Sequence, residues 1–290
     1  MPMTVKLDDH VVGTVTIGDH TVRRLGFGAM RVSGARNAEG VRDRQEAIRL
    51  YRAVYDGGVN FIDTANIYGY GESEEILAEA LHPYPDDLLV TTKAGFRPGK
   101  IEPGQTTLPP LGRPEHIKEE CDKSLRRLRV DHIDLYQVHV PDPDVPYEDT
   151  VGAFVELQRA GKVHHIGISN VTVAQLALAQ SLCTVVSVQN AYNVGRRASE
   201  DVMRACAAQG VAFLPHSPNI LSDAAAAVVA EVATGHGVAP AVVATAWLLQ
   251  RSPVMVPIPG TSKVAHAREN IAAAWLRLSV EDVARLDGAP

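Results

Sequence analysis

Residues 60–68 read Asn-Phe-Ile-Asp-Thr-Ala-Asn-Ile-Tyr, a short apolar run that ends at Asp63, with Tyr68 five positions further along. Two later apolar runs also end in a polar side chain, one at Lys93 and the other at His139. Parallel strands present their carboxyl ends at one edge of a sheet, so three such strands would bring an acid, a base and an imidazole together. This pattern predicts an active site at the carboxyl ends of a parallel sheet.

Short β-branched runs alternate with longer amphipathic stretches along the chain, which is typical of repeated βα units. Eight runs are strand candidates, at residues 25–28, 59–63, 88–93, 132–139, 163–169, 185–189, 211–216 and 255–258. The apolar region 223–250 is long enough for two helices. Eight strands with intervening helices close most naturally into a TIM barrel, and no Pro/Ser/Gly-rich linker divides the chain, so one domain over residues 1–290 is predicted.

Ahead of the first barrel strand, residues 14–17 and 21–23 are joined by Gly18-Asp19, which predicts a β-hairpin.

The competing α/β fold is an open dinucleotide-binding sheet. The first glycine-rich turn, residues 26–31, lacks the third glycine of that fingerprint, and no acidic strand-end residue follows in the required setting. The barrel is therefore favoured.

The net charge of −6 comes without a basic patch, which argues against nucleic-acid and anionic-membrane partners. The first residues lack the apolar core of a signal peptide, and no run approaches the ~20 apolar residues that span a bilayer. We therefore expect a cytoplasmic protein with small-molecule partners; its oligomeric state is left open between a monomer and a weak homo-oligomer.

Cysteine and histidine spacing gives no sign of a disulfide framework or a metal site. Cys121, Cys183 and Cys206 are odd in number and widely spaced, so we interpret them as reduced packing residues. His132 and the pair at 164–165 match no metal-binding motif, and no metal is predicted.

Eight short motifs occur in a fixed order from residue 26 to residue 261. They are Gly26-Phe-Gly-Ala-Met30, Phe61-Ile-Asp-Thr-Ala65 with Tyr68-Gly69, Gly71-Glu-Ser-Glu74, Thr91-Thr-Lys-Ala94, Asp134-Leu-Tyr-Gln-Val-His139, Gly167-Ile-Ser-Asn170, Val188-Gln-Asn-Ala-Tyr-Asn193 and Pro257-Ile-Pro-Gly-Thr261. In this order they resemble the aldo-keto reductase superfamily over nearly the whole chain. The resemblance implies a (β/α)8 barrel with the hairpin plugging its bottom, and an NADPH-dependent oxidoreductase that reduces an aldehyde or ketone, or runs as an alcohol dehydrogenase.

The resemblance also implies a catalytic tetrad of Asp63, Tyr68, Lys93 and His139. When a hydride reaches a carbonyl carbon, the oxygen becomes an alkoxide that must be protonated, and Tyr68 is the expected general acid. An unperturbed tyrosine titrates near about 10, so a nearby cation is needed to stabilise its phenolate. Lys93 at ~4 Å would contribute of order 4 kcal/mol at an effective dielectric of about 20, which is expected to lower the pKa of Tyr68.

No side chain can donate a hydride, so a nicotinamide cofactor is required. The cofactor contacts implied by the resemblance are Gly28, Ala29, Met30, Ser169, Asn170, Gln189, His216, Ser217, Pro218, Gly260, Thr261, Ser262, Lys263, Arg268, Glu269 and Asn270. His216 stands where relatives place an aromatic ring under the nicotinamide, and a protonated imidazole there would repel the oxidised cofactor. Lys263 and Arg268 are the candidate contacts of a 2′-phosphate, which favours NADPH and leaves NADH open.

Arg31 and Phe96 are the expected substrate contacts. Two other functions stay open at this stage. The first is a cofactor-binding redox sensor or regulatory subunit with little turnover. The second is a barrel enzyme that uses Lys93 as a Schiff-base nucleophile, which Asp63 disfavours because it would keep the lysine protonated.

Overall fold

The computed structural model describes residues 6–99 and 107–289, and its centre is a parallel sheet whose strands follow chain order. Each strand pairs with the next along the chain, so every connection is a βα unit. The strands are β3 (Phe27–Gly28), β4 (Phe61–Asp63), β5 (Leu89–Ala94), β6 (Ile133–Val138), β7 (Val163–Ser169), β8 (Val185–Gln189) and β9 (Ala212–Phe213).

The predicted eighth strand closes the barrel without forming a regular ladder. On one side, the amide of Phe213 donates to Val254 O at 2.9 Å, and the amide of Val256 donates to Phe213 O at 2.9 Å. On the other side, Pro257 O accepts from the amide of Gly26 at 2.9 Å. Proline has no N–H, and a second proline follows two residues later, so this segment can only accept hydrogen bonds toward β3. The eight-stranded barrel is therefore confirmed, with one irregular member.

Helices surround the sheet, and the region 223–250 contains two of them, as predicted. The helix that begins at Pro114 has this proline in its first turn, where a missing N–H costs nothing. The helices are α1 (Asp9–Val12), α2 (Arg44–Asp56), α3 (Glu72–Leu81), α4 (Pro114–Leu128), α5 (Tyr147–Arg159), α6 (Val173–Leu182), α7 (Glu200–Gln209), α8 (Asp223–His236), α9 (Pro240–Arg251), α10 (Val264–Ala272) and α11 (Val280–Asp287). Short 3-10 turns lie at Ala29–Gly34, Tyr68–Gly71 and Ala273–Trp275.

The N-terminal hairpin consists of β1 (Thr14–Ile17) and β2 (His20–Arg23), close to the predicted bounds. Its buried side chains Ile17 and Val22 belong to the same apolar cluster as barrel-interior residues from β4, β5 and β6. The hairpin thus fills the bottom of the barrel, and the opposite, carboxyl end of the strands is left open for a site.

Within the described parts of the chain, no single helix is long and apolar enough to cross a bilayer; α8 and α9 together reach that length and composition, but they are bent by 97° where they meet.

Candidate active site

Asp63 and Lys93 form a buried ion pair at the carboxyl ends of β4 and β5. Lys93 Nζ lies 2.7 Å from Asp63 Oδ2, and it also donates to Thr64 O at 2.9 Å. The other carboxylate oxygen, Oδ1, accepts from Gln189 Nε2 at 2.7 Å and from Gln137 Nε2 at 3.2 Å. A buried pair is tolerated only when its remaining hydrogen-bonding capacity is satisfied, and these amides do that for the carboxylate.

Lys93 also donates to the hydroxyl of Tyr68, at 3.4 Å. Burial works to lower the pKa of Lys93, but the attraction of Asp63 and Tyr68 outweighs it, so the pKa is raised and the ammonium stays charged. The pKa of Tyr68 is raised as well, because burial outweighs the lowering effect of Lys93. The expected net lowering of this pKa is therefore not found in the free protein, where the phenol keeps its proton across neutral pH.

Three successive residues with left-handed backbone follow Tyr68 and hold it in a tight turn. Gly69 has φ 61°, Tyr70 has φ 62° and Gly71 has φ 93°. Tyr70 is 61% exposed, so no packing of its side chain explains a conformation that costs a residue with a Cβ about 1 to 3 kcal/mol. Strain of this kind is concentrated at functional sites, which fits a turn that fixes the position of Tyr68.

A second ion pair, between Glu74 and Arg127, supports this turn. Glu74, which is fully buried, accepts from Arg127 Nη1 at 2.7 Å and from Thr92 Oγ1 at 2.5 Å. A Cβ added at Gly71 would lie 2.4 Å from Arg127 Nε, so the guanidinium packs directly against the turn. Residues from α3, α4 and β5 thus fix the end of the Tyr68 turn.

We expect Arg127→Met to destabilise the fold by about 3 to 5 kcal/mol, because it leaves the Glu74 carboxylate buried without its cation. Denaturant titration measures this change, and the double variant Glu74→Gln/Arg127→Met should recover most of the loss. The control is Arg126→Met, which alters the exposed neighbouring residue. Equal stabilities of the Arg127 and Arg126 variants would show that the ion pair does not support the turn.

His139 follows β6 directly and faces Tyr68 across the site. Its ring makes edge contacts with Phe96, at a centroid distance of 4.7 Å, and with Tyr68, at 6.0 Å. Burial, with Lys93 and His216 adding to it, holds the pKa of His139 well below its usual value, so the ring is neutral. Its Nδ1 is buried without a hydrogen-bond partner among the described residues.

His216 lies opposite, linked to the strand-end residues of β7. Its Nε2 lies 3.0 Å from Asn170 Oδ1, and its Nδ1 lies 3.0 Å from Ser217 Oγ. Asn170 Nδ2 in turn donates to His139 O at 2.9 Å and to Ser169 Oγ at 3.0 Å. Burial, reinforced by Lys93 and Arg196, lowers the pKa of His216 to about 4, so the ring is neutral and offers an uncharged face to the cleft.

Protein stability should therefore fall as the pH drops from about 6.5 to about 4. In this range His216 is protonated in the unfolded chain but stays neutral in the folded protein, so protonation favours unfolding. At pH 4.5, the loss of folding stability caused by His216, relative to neutral pH, is about 2 to 3 kcal/mol. His216→Phe removes the titrating group, so its loss of stability between pH 7 and pH 4.5 should be smaller than that of the wild type by this amount. Denaturant titrations at both pH values measure it, and identical pH dependence in the two proteins would contradict the assignment.

These side chains surround one cleft of about 950 Å³ at the open end of the barrel. From the predicted site residues, Gly28, Met30, Arg31, Asp63, Tyr68, Phe96, His139, Ser169, Asn170, Gln189, His216, Ser217, Pro218, Gly260, Thr261, Glu269 and Asn270 line it. Lys93 lies buried beneath it. Ala29, Ser262, Lys263 and Arg268 do not line it within the described chain. Ala29 is fully buried, whereas Lys263, which precedes α10, and Arg268, in the middle of that helix, are exposed.

Sequence reasoning missed several residues that line the cleft. They are Ile67, Thr107, Leu108, Pro110, Val140, Arg196, Asn219, Ile220, residues 239–241, Ile258 and His266. Most are apolar residues whose pattern carries no chemical signal. Among the polar ones, Arg196 could have been suspected, because a guanidinium in the loop after β8 lies above the barrel.

Comparison with known proteins agrees with this geometry. Residues 24–289 match the model of the Aldo/keto reductase family. The chain is 40% identical over 282 residues to pyridoxine 4-dehydrogenase of Escherichia coli K12, covering 95% of this chain and 97% of that protein. It is also 40% identical over 284 residues to an uncharacterized oxidoreductase of Schizosaccharomyces pombe, covering 97% and 91%.

Solved structures give the same result. A thermostable aldo-keto reductase in complex with the inhibitor epalrestat superposes with a TM-score of 0.79 at 29% identity, covering 94% of this chain and 98% of that one. An aldo-keto reductase of Klebsiella pneumoniae in complex with NADPH superposes with a TM-score of 0.78 at 26% identity, covering 94% and 93%. The chain belongs to the aldo/keto reductase family.

Proposed function

We propose that this protein is an NADPH-dependent reductase that converts an aldehyde to an alcohol, with Tyr68 as the general acid. The observation that carries the proposal is the chain of contacts from Asp63 through Lys93 to the hydroxyl of Tyr68, with distances of 2.7 Å and 3.4 Å, which ends at the cleft. A phenol backed by a buried cation opposite a neutral imidazole suits proton delivery to a carbonyl oxygen.

The cleft fits a dinucleotide in size and in the chemistry of its two ends. Its volume of about 950 Å³ lies at the upper end of the usual range for small-molecule sites. No side chain in the described part of the chain caps the N-terminus of α10, so the first N–H groups of this helix can receive a phosphate. Glu269 and Asn270 on the same helix line the cleft. Lys263 and Arg268 lie at this end as candidate partners of a 2′-phosphate, and the Klebsiella relative solved with NADPH supports the same preference.

The other end of the cleft would receive the nicotinamide. His216 offers its neutral ring for stacking, and Ser169 and Asn170 can hydrogen-bond the carboxamide. Gln189 donates its Nε2 to Asp63, so its carbonyl oxygen is the atom it has left for a ligand. When bound, NADPH supplies the hydride that reduces the substrate carbon.

As negative charge develops on the substrate oxygen, Tyr68 donates its phenolic proton to it. Lys93 then stabilises the phenolate, and Asp63 keeps the ammonium charged and directed at the hydroxyl oxygen. His139 orients the carbonyl. Its Nδ1 is buried with no hydrogen-bond partner in the described parts of the chain, so the tautomer that leaves no donor unpaired carries its proton on Nε2, from which it can donate to the substrate oxygen.

We further propose an aromatic aldehyde of the pyridoxal type as substrate. The relative that is 40% identical over 95% of this chain is a pyridoxine 4-dehydrogenase. The cleft near Tyr68 has apolar walls from Ile67, Phe96 and Leu108, which suit a flat ring, and the exposed guanidinium of Arg31 at its edge can pair with an anionic ring substituent.

The test follows NADPH absorbance with pyridoxal, benzaldehyde and butanal, and repeats each assay with NADH. We expect NADPH consumption with at least one aldehyde, fastest with pyridoxal. Tight NADPH binding without turnover of any aldehyde or of the corresponding alcohols would favour a regulatory nucleotide-binding role. Equal rates with all three aldehydes would reject the pyridoxal-type substrate and leave the reductase activity standing.

A further inference from the structure

Three potential metal ligands converge at the barrel end opposite the cleft. Asp134 in β6 and His164 in β7 lie side by side, because the register pairs Ile133 with Val163 and Leu135 with His165. Leu135 points into the barrel interior, so Asp134 and His164 point outward. His132 immediately precedes β6 and completes the group.

The donor atoms of these side chains are close enough for one ion after small rotations. His132 Nε2 lies 3.6 Å from Asp134 Oδ1, His164 Nδ1 lies 4.0 Å from the same oxygen, and a ligand atom can be chosen from each residue so that all lie within 4.8 Å of one another. Nitrogen and oxygen ligands bind zinc at about 2.0 to 2.2 Å, so two ligands of one ion are separated by at most about 4 Å.

Both imidazoles are free to turn toward an ion. Their rings are stacked, with centroids 3.8 Å apart and planes inclined by 18°, so the in-plane lone pairs run nearly parallel and must rotate to converge. Each imidazole side chain is 45% exposed, and within residues 6–99 and 107–289 Asp134 provides the only carboxylate oxygen within 4.0 Å of either ring's nitrogen atoms.

The next residue along β7 provides a contrast. His165 Nε2 lies 2.6 Å from Asp19 Oδ1 in the N-terminal hairpin, so this imidazole is already engaged. Among the described residues, the stacked pair has no comparable partner besides the shared carboxylate. A cation that all three side chains can coordinate would give the two imidazoles, stacked at 3.8 Å, a common partner.

We propose that His132, Asp134 and His164 form a binding site for a divalent transition-metal ion of the zinc class, with water completing the coordination. Two imidazoles and one carboxylate are a donor set that suits zinc, nickel, cobalt and copper. The bound ion would tie the beginnings of β6 and β7 together and stabilise the folded chain by mass action. The site lies at the other end of the barrel from the reaction and takes no part in it.

The test is a calorimetric titration of chelator-treated protein with ZnCl2, comparing wild type with His132→Gln and His164→Gln. The loss of a partner that only orients a ligand weakens metal binding about 10- to 100-fold, so we expect loss of a ligand to weaken zinc binding at least about tenfold in each variant. The control is His10→Gln, which removes an exposed imidazole outside the group and should bind zinc like the wild type.

A second readout distinguishes binding at this group from binding elsewhere. Cu²⁺ added to the wild type should give an electron paramagnetic resonance spectrum with coupling to two nitrogens, reduced to one in either glutamine variant. Thermal unfolding without metal checks that the variants fold, and their NADPH-dependent activity should equal that of the wild type. Absence of saturable zinc binding to the wild type, or equal zinc affinity in the wild type and both variants, would overturn the proposal.

Discussion

Tyr68→Phe is expected to lower kcat for aldehyde reduction by about 10² to 10⁴, because it removes the proposed proton donor and leaves the rest of the cleft in place. The hydroxyl accepts one hydrogen bond from Lys93, so its loss should change the free energy of unfolding little. Steady-state rates with NADPH, together with fluorescence titration of NADPH binding, separate the chemical step from cofactor affinity.

The matched control for this variant is Tyr70→Phe. Tyr70 lies in the same turn with its side chain exposed to solvent, so removal of its hydroxyl should leave kcat close to that of the wild type. Equal loss of activity in both variants would mean that the turn matters only as a structure, and full activity of Tyr68→Phe would reject Tyr68 as the acid.

Lys93→Met is expected to have two large effects. The Asp63 carboxylate would stay buried without its cation, which should destabilise the fold by about 3 to 5 kcal/mol. The phenolate of Tyr68 would also lose its stabilising charge, so kcat should fall by about 10² or more even where the variant is folded. Denaturant titration and steady-state assays measure the two effects separately.

The double variant Asp63→Asn/Lys93→Met tests whether these effects have different causes. Replacing the carboxylate by a neutral amide removes the buried charge, so stability should recover toward that of the wild type while activity stays low. Recovery of activity together with stability would show that the ion pair serves only the fold, and it would contradict the role proposed for Lys93.

Much of the fold and of the site could be predicted from local patterns. Asp63, Lys93 and His139 each end an apolar run, and the parallel sheet then brings the three strand ends together. The family resemblance is confirmed by the match over residues 24–289. The exception among the strands is the eighth, whose prolines prevent a regular ladder although its carbonyls still close the barrel.

Other features depend on contacts between residues far apart in sequence. The pKa of Tyr68 is raised because the folded chain buries its hydroxyl. The depth of that burial cannot be predicted from the local sequence. Arg127 supports the Tyr68 turn from a helix some fifty residues away, through a glutamate on α3. The spacing of metal-binding motifs does not identify His132 and His164, because two neighbouring strands bring them together rather than one sequence motif.

The most direct test of the proposed chemistry is to follow the hydride itself. Wild-type protein is supplied with pyridoxal and with NADPH deuterated at C4, each of the two C4 stereoisomers in turn, and the alcohol is analysed by mass spectrometry. One isomer should give alcohol with a single deuterium on the former carbonyl carbon, the other should give none, and Tyr68→Phe should give almost no labelled product. Unlabelled alcohol from both isomers, or no alcohol from pyridoxal or any other aldehyde despite bound NADPH, would contradict hydride transfer in this cleft.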